Sequence, residues 1–227
     1  MLFIIGTVAG ILSVVFTQPI LEASGYLIEV TTNQNQLIIG ALLVLIMGFA
    51  LAMVPIMMFP IFRKYNEALA LGSVVFRGVL EAVAYITIAV GWLLLIPLSR
   101  AYVEAGTPDA SSFETVGMLL LEAVDWTYRI LAIVFSLGAL MIYYLFHQSK
   151  LIPRWLSLWG LIGAVLYLTV PLLGMFGIEL GILMVPLALQ EMVLAVWLIL
   201  KGMPESNMDD ELVPSSHRQR FLQNRVY

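Results

Sequence analysis

Cysteine is absent from the 227 residues, which excludes disulfides, iron–sulfur clusters and thiol chemistry without choosing a compartment. Charge is nearly absent too. Asp, Glu, Lys and Arg make up 11% of the chain, where a soluble domain carries about 25%. Histidine occurs twice, at His147 and His217. A metal site needs several clustered ligands, so both are read as solvated. The HExxH, GxSxG and P-loop patterns are missing, and no basic aromatic groove suits a nucleic acid. No metal, cofactor or nucleic-acid partner is expected. The twelve Met read as packing residues rather than copper ligands.

What is present is apolar sequence: 61% hydrophobic residues and a mean hydropathy of +0.98. A chain of this size leaves too much surface exposed to hide such an excess in a core, so the expected solvent is a lipid bilayer. About 20 consecutive apolar residues cross the hydrocarbon. Six stretches qualify: 2–17, 37–59, 71–98, 126–146, 156–176 and 178–200. The first is short and is read as extending toward Leu21. It lacks the basic n-region and cleavage site of a signal peptide, so a retained helix is expected. The predicted fold class is all-α, a polytopic bundle of six transmembrane helices over residues 1–202. A polar tail, 203–227, follows it.

The cations set an expected orientation. Arg63 and Lys64 lie between spans two and three, Lys150 and Arg154 between spans four and five, and Lys201, Arg218, Arg220 and Arg225 after span six. An even number of spans puts all three groups on one side, and loop Lys and Arg mark the cytoplasm. Both termini are therefore expected there, with Arg100 alone in the opposite loops.

Local signals fill in the connections. "YLIEV" (26–30) reads as a brief strand or an interfacial turn. Ser112 reads as a helix N-cap with Glu114 in the first turn, so the fourth helix is expected over 113–146, about 50 Å long. Gly177 is expected to join spans five and six as a tight hairpin. Pro55, Pro97, Pro171 and Pro186 are expected kinks. Gly6 and Gly10 form a GxxxG that allows close helix approach. The pairs Tyr143/Tyr144 and Trp155/Trp159 read as interfacial anchors.

Against this background a few ionisable residues stand inside or beside the spans: Arg77, Glu81, Glu122, Asp125, Arg129 and Glu191. A central charge in a bilayer costs about 2.5–3.5 kcal/mol on insertion scales, so such groups should turn inward and pair. Arg77, Glu81 and Tyr85 share one helical face at i, i+4 and i+8, and Glu122, Asp125 and Arg129 share another. Gln190 adds a neutral hydrogen-bonding group. Counting about 1.5 Å per residue, Arg77 and Glu191 lie at nearly the same height, so a bridge between spans three and six is the first expectation. Glu81 and Arg129 are also nearly level, and a bridge between spans three and four is the second. Four carboxyls then face two guanidiniums, which leaves two carboxyls without a cation, protonated or wet at the outer surface.

"ALALGSVVFRGVLEAV" (68–83), "SKLIPRWLSLWGLIGA" (149–164) and "QEMVLAVWLILKG" (190–202), with "TVAGILSVV" near the start and "DASSF" before span four, resemble the bacterial membrane-protein family called domain of unknown function 4386. The resemblance covers residues 6–202. It implies a compact multi-span protein of the bacterial inner membrane and carries no activity with it. It places Arg77, Glu81, Arg154 and Glu191 inside family-like motifs, with Pro153 fixing the entry to span five.

Three functional readings stand open. The first is a protein that handles a small ligand or an ion, protons included, through Arg77, Glu81 and Glu191. The second is a structural or regulatory membrane protein whose ion pairs only fix helix register. The third is a lipid-modifying enzyme using Glu81 or Glu191 as acid or base. A cavity reaching the charges favours the first, a dry and fully paired network the second, and a lateral opening beside an unpaired carboxyl the third.

Overall fold

In hydrocarbon no water can satisfy the peptide N–H and C=O groups, so a spanning segment must close its hydrogen bonds within itself. The computed structural model, which describes residues 1–105 and 110–201, follows that rule: helices and turns, with no strand among the described residues. The helices are α1 (Leu2–Leu21), α2 (Tyr26–Thr32), α3 (Gln34–Phe62), α4 (Glu67–Ser73), α5 (Glu81–Ala105), α6 (Ala110–Ser149), α7 (Arg154–Gly174) and α8 (Val185–Lys201). A π-helical stretch, Val74–Leu80, joins α4 to α5 without a break, so Glu67–Ala105 is one rod. A 3-10 turn, Gly181–Met184, leads into α8. Six of these rods are long and apolar enough to cross a membrane, as expected for a multi-pass protein. The tail 203–227 lies outside the described residues.

Neighbours in sequence are neighbours in space. The rods pack α1 on α3, α3 on α5, α5 on α6, α6 on α7 and α7 on α8. By this topology Arg63, Lys64, Lys150, Arg154 and Lys201 gather at one end of the bundle, called the basic end below. Arg218, Arg220 and Arg225 lie outside the described residues. Two apolar cores stack along the bundle axis. One, with Phe62, Ala70, Phe146, Ile152 and Leu156, fills the basic end. The other, with Ile20, Leu37, Ile88, Leu95 and Val124, fills the far end. The intramembrane charges lie between them.

Small residues decide how closely the rods approach. In a bilayer helix association depends on packing and hydrogen bonds rather than on hydrophobic drive. Gly6 sits against Leu51 and Gly10 against Met47, so the GxxxG serves the α1–α3 contact. One turn further, Ser13 Oγ donates 2.8 Å to the Gly40 carbonyl, and a side chain at Gly40 would run into Thr17. Pro19, Pro55, Pro60, Pro97 and Pro171 all lie inside helices.

Several local expectations are corrected. "YLIEV" is helical: Leu27 and Val30, three apart, are buried while Ile28 is exposed, so burial of one helical face overrides the β-branched composition. Ser112 is not an N-cap but lies inside α6, which starts by Ala110 and runs 40 residues, about 60 Å. Arg100 belongs to α5 rather than to a loop and donates through Nε to Gln34 Oε1 at 3.2 Å, tying α5 to the start of α3. The junction after α7 is looser than a tight hairpin. Gly177 takes φ +80 and the chain does not resume α-helix until Val185. His147 is half-buried, its Nδ1 3.2 Å from Ser157 Oγ. Tyr143 is buried in the core, and only Tyr144 faces outward as an anchor would.

The glycine seats make a direct prediction. Gly40→Val forces a branched side chain into Thr17 and should destabilise the fold by about 1–3 kcal/mol, read as a lower unfolding temperature in detergent. Gly181→Ala, where a Cβ meets nothing within 4 Å, should melt with the wild type.

Candidate functional site

The π-helical stretch Val74–Leu80 carries Arg77, and Glu81 follows it directly. Extended π-helix is rare, and its single-turn form collects at functional sites. A π turn holds more residues than an α turn, so a side chain four positions ahead comes almost directly above. Arg77 Nε lies 3.4 Å from Glu81 Oε2, and both side chains are buried. The cation also faces α8, where Glu191 Oε1 stands 3.9 Å from Arg77 Nη2. The guanidinium is therefore shared between a carboxylate on its own rod and one on the last helix.

The walls of this centre are built from facing helices. The Phe135 ring of α6 covers the guanidinium, 4.1 Å from Cζ to the ring centroid, a cation–π contact that gains strength where water is excluded. Gly138, one turn on, leaves room for the Arg77 stem, which a Cβ would strike. Two tyrosines are seated in the same way: Tyr85 against Gly48 of α3, and Tyr143 against Gly160 of α7. Tyr85, Tyr143 and Tyr167 all lie close enough to the charges to feel them. Gln190 is fully buried, and its Nε2 donates to the Leu156 carbonyl at 3.1 Å.

The centre is not closed on itself. Arg77 Nε and Nη1 are buried without a hydrogen-bond partner; the Glu81 carboxylate and Gln190 Oε1 have no partner of close geometry, although the Tyr85 hydroxyl lies beside Glu81 and the Tyr143 hydroxyl beside Gln190. Thus the 3.4 Å approach of Arg77 to Glu81 is an ion contact, not a hydrogen bond. Unsatisfied buried polar atoms are uncommon in folded proteins and call for an explanation. For Arg77, two cavities supply the space for one. A cavity of about 370 Å³ lies on the far-end side, lined by α1, α3, Tyr128 and Phe135. A second, about 140 Å³, lies on the basic-end side, lined by Val54, Met58, Ile142, Phe146 and Leu198 among others. Arg77, Glu191 and Phe3 belong to the walls of both.

Of the residues singled out from sequence, the structure brings together Arg77, Glu81, Tyr85, Gln190 and Glu191. The level Arg77–Glu191 pair is present. The expected Glu81–Arg129 bridge is not. Glu81 turns to Arg77 on its own rod, and Arg129 Nη2 meets Glu179 Oε1 at 3.1 Å, in the turn after α7. Glu179 falls at the very start of the predicted stretch 178–200 and is not counted among its charges there; the structure places it in the turn, six residues before α8 begins at Val185. Arg129 also lies near the Trp126 ring, 5.9 Å from its centroid. Glu122 and Asp125 are exposed on α6 and stay apart from the centre. Phe135, Gly138, Tyr143 and Tyr167 were not legible as site residues, because an apolar or aromatic residue in a span looks the same whether it faces lipid or a charge.

A separate polar cluster caps the far end, where Tyr26 donates to the Glu114 carbonyl and Tyr102 to the Glu114 carboxylate, both at 3.3 Å. Partial burial, with Glu114 and Tyr102 beside it, raises the Tyr26 phenol above its ordinary pKa.

Removing one member of the buried pair tests its energetics. Arg77→Met leaves Glu81 buried with no cation, and breaking such a pair costs about 3–5 kcal/mol. The unfolding temperature should fall sharply, and Arg77→Met/Glu81→Leu should recover most of the loss. Equal melting of wild type and Arg77→Met would show that the pair holds nothing together.

No curated protein and no solved structure matches the chain significantly. One family model does, over residues 1–202, and so takes in all the described helices and the whole charged centre. The chain belongs to the family described as Domain of unknown function (DUF4386).

Proposed function

We propose that this is a multi-pass protein of the bacterial cytoplasmic membrane that binds or translocates a small ligand or an ion, protons included, at the Arg77/Glu81/Glu191 centre. The observation that carries the reading is the pair of cavities, on opposite sides of one ion pair and sharing its residues as wall. A molecule arriving from either side meets the same charges. The unpartnered nitrogens of Arg77, which line both cavities, support the same reading, since a centre that only fixed helix register would be expected to satisfy itself.

The larger cavity also favours a second reading, a lipid-modifying enzyme, because its rim on α1, Ile11 and Val14, is exposed in mid-span, on a side a lipid would reach. Chemistry on a lipid needs an activated nucleophile or water. The two aliphatic hydroxyls in that wall are committed to carbonyls: Thr7 donates to Phe3 at 2.9 Å and Ser13 to Gly40 at 2.8 Å, which leaves only the weakly nucleophilic phenol of Tyr128. Binding without covalent chemistry is therefore the better-supported reading.

Two experiments follow. The cysteine-free chain accepts single reporters. With the basic end in the cytoplasm, Gln148→Cys should react with a membrane-impermeant maleimide only after permeabilisation, and Asn35→Cys in intact cells. The reverse pattern would invert the orientation. For the site, purified protein is melted against ions and metabolites across pH, beside Glu81→Gln and Glu191→Gln. A ligand at 100 times its Kd should stabilise by about 2.7 kcal/mol, a rise of about 5–10 °C for a chain of this size, in wild type but not in the variants. Identical responses of wild type and variants would remove the support for a ligand site.

A further inference from the structure

Resting on that reading, we propose that the occupant of the larger cavity comes from the bilayer: an amphipathic amine, an apolar body carrying one ammonium group, entering sideways between α1 and α8 and setting its head against Glu191.

The route follows from the packing. α1 lies on α3 and α8 lies on α7, and neither packs closely on the other. α1 supplies the exposed rim of the cavity and α8 supplies Glu191 to its wall, so the open seam between these two spans is assigned as its mouth. Its rim on α1 is Ile11 and Val14, 60% and 52% exposed, in the middle of a span. What lies outside such a rim is acyl chain, so the cavity is reached without crossing water. At about 370 Å³ it falls near the lower end of the range for small-molecule sites, about 300–1,000 Å³.

The walls set the body of the ligand. Phe3, Val44, Met47 and Leu51 are apolar, and the Thr7 and Ser13 hydroxyls give their protons to backbone carbonyls. The floor sets the head. One guanidinium serves two carboxyl groups, and Glu81 holds the nearer place at 3.4 Å. Glu191, at 3.9 Å, is beyond hydrogen-bond reach of Arg77 and is left with acceptor oxygens on the cavity floor. An ammonium group brings three donors and the positive charge the cluster lacks. Tyr128 stands in the same wall, and an aromatic face favours an ammonium head; the Phe135 ring is already taken by Arg77. A carboxylate head is the competing chemistry, since Arg77 Nη1 has no partner. It would have to approach a cation already shared by two acids.

The test uses the protein in lipid nanodiscs, where no detergent competes for the cavity. Thermal unfolding is followed with n-octylammonium, ethylammonium and n-octanoate. The proteins are wild type, Glu191→Gln and Ile11→Trp. Ile11 is exposed, so Trp there blocks the mouth while leaving the fold intact. This keeps the test open should Glu191→Gln fail to assemble. Octylammonium should raise the wild-type unfolding temperature by several degrees. The rise should be at least halved in Ile11→Trp and absent in Glu191→Gln, with little effect of the other two probes. An equal effect of octylammonium on all three proteins would mean it acts through the bilayer and would overturn the proposal. So would a larger effect of octanoate, which places an anion on Arg77. If ethylammonium matches octylammonium and depends on Glu191, the centre takes a water-borne cation; this inference falls and the proposed function stands. If no amine acts but an ion or pH still separates wild type from Glu191→Gln, the outcome is the same. If nothing separates them, both fall.

Discussion

A guanidinium placed between two apolar cores cannot be left alone in hydrocarbon, and much of this bundle is arranged around that fact. Arg77 stays charged at any ordinary pH. It must be buried among helices and given counter-charge, or the span carrying it would pay the insertion cost unrelieved. Glu81 answers the first need from the same rod, through the π turns that align the two side chains. Glu191 answers from α8 and so ties the last span to the third, although the two are not sequence neighbours. Phe135 closes the remaining face with the electron-rich side of its ring.

Those polar contacts require helices to come closer than ordinary side chains allow. Three large site residues rest on a glycine of a facing helix: Arg77 on Gly138, Tyr85 on Gly48, Tyr143 on Gly160. Glycine weakens a helix interior in water, yet here the backbone bonds are held by the bilayer, and the missing Cβ is what admits a bulky polar neighbour. The same device without charge joins α1 to α3 at Gly6, Gly10 and Gly40. Small residues thus serve two ends in one fold, close packing of α1 on α3 and space for a polar centre among the other rods.

What the sequence made legible follows from the same physics. Long apolar runs must be helices, so the six spans could be read directly, and the height of Arg77 and Glu191 along their rods was enough to pair them. Arg129 escaped, because its partner Glu179 sits in a turn whose path depends on Gly177 at φ +80, and rod heights say nothing of turns. The π turns escaped as well, since nothing in "VVFRGVL" distinguishes them from α-helix. Tyr143 was misplaced because a tyrosine near the end of a span suits an interface equally well. Its burial depends on Gly160 of the next helix, a long-range contact that no local pattern announces.

The two carboxylates are unequal, and the inequality matches the packing. Glu81 is fixed to Arg77 by the rod they share. Glu191 stands farther off, on the helix with the least buried surface of the six spans. A shift of α8 against its neighbours would therefore break the 3.9 Å contact first and leave the 3.4 Å contact intact. Such a shift would also change the shared wall between the two cavities, because Glu191 belongs to both. The least buried span carries the more distant carboxylate, at the level where the two cavities meet. Any ligand that favours one position of α8 over another would be coupled to the ion pair through Glu191, and Arg77 would keep a counter-charge throughout.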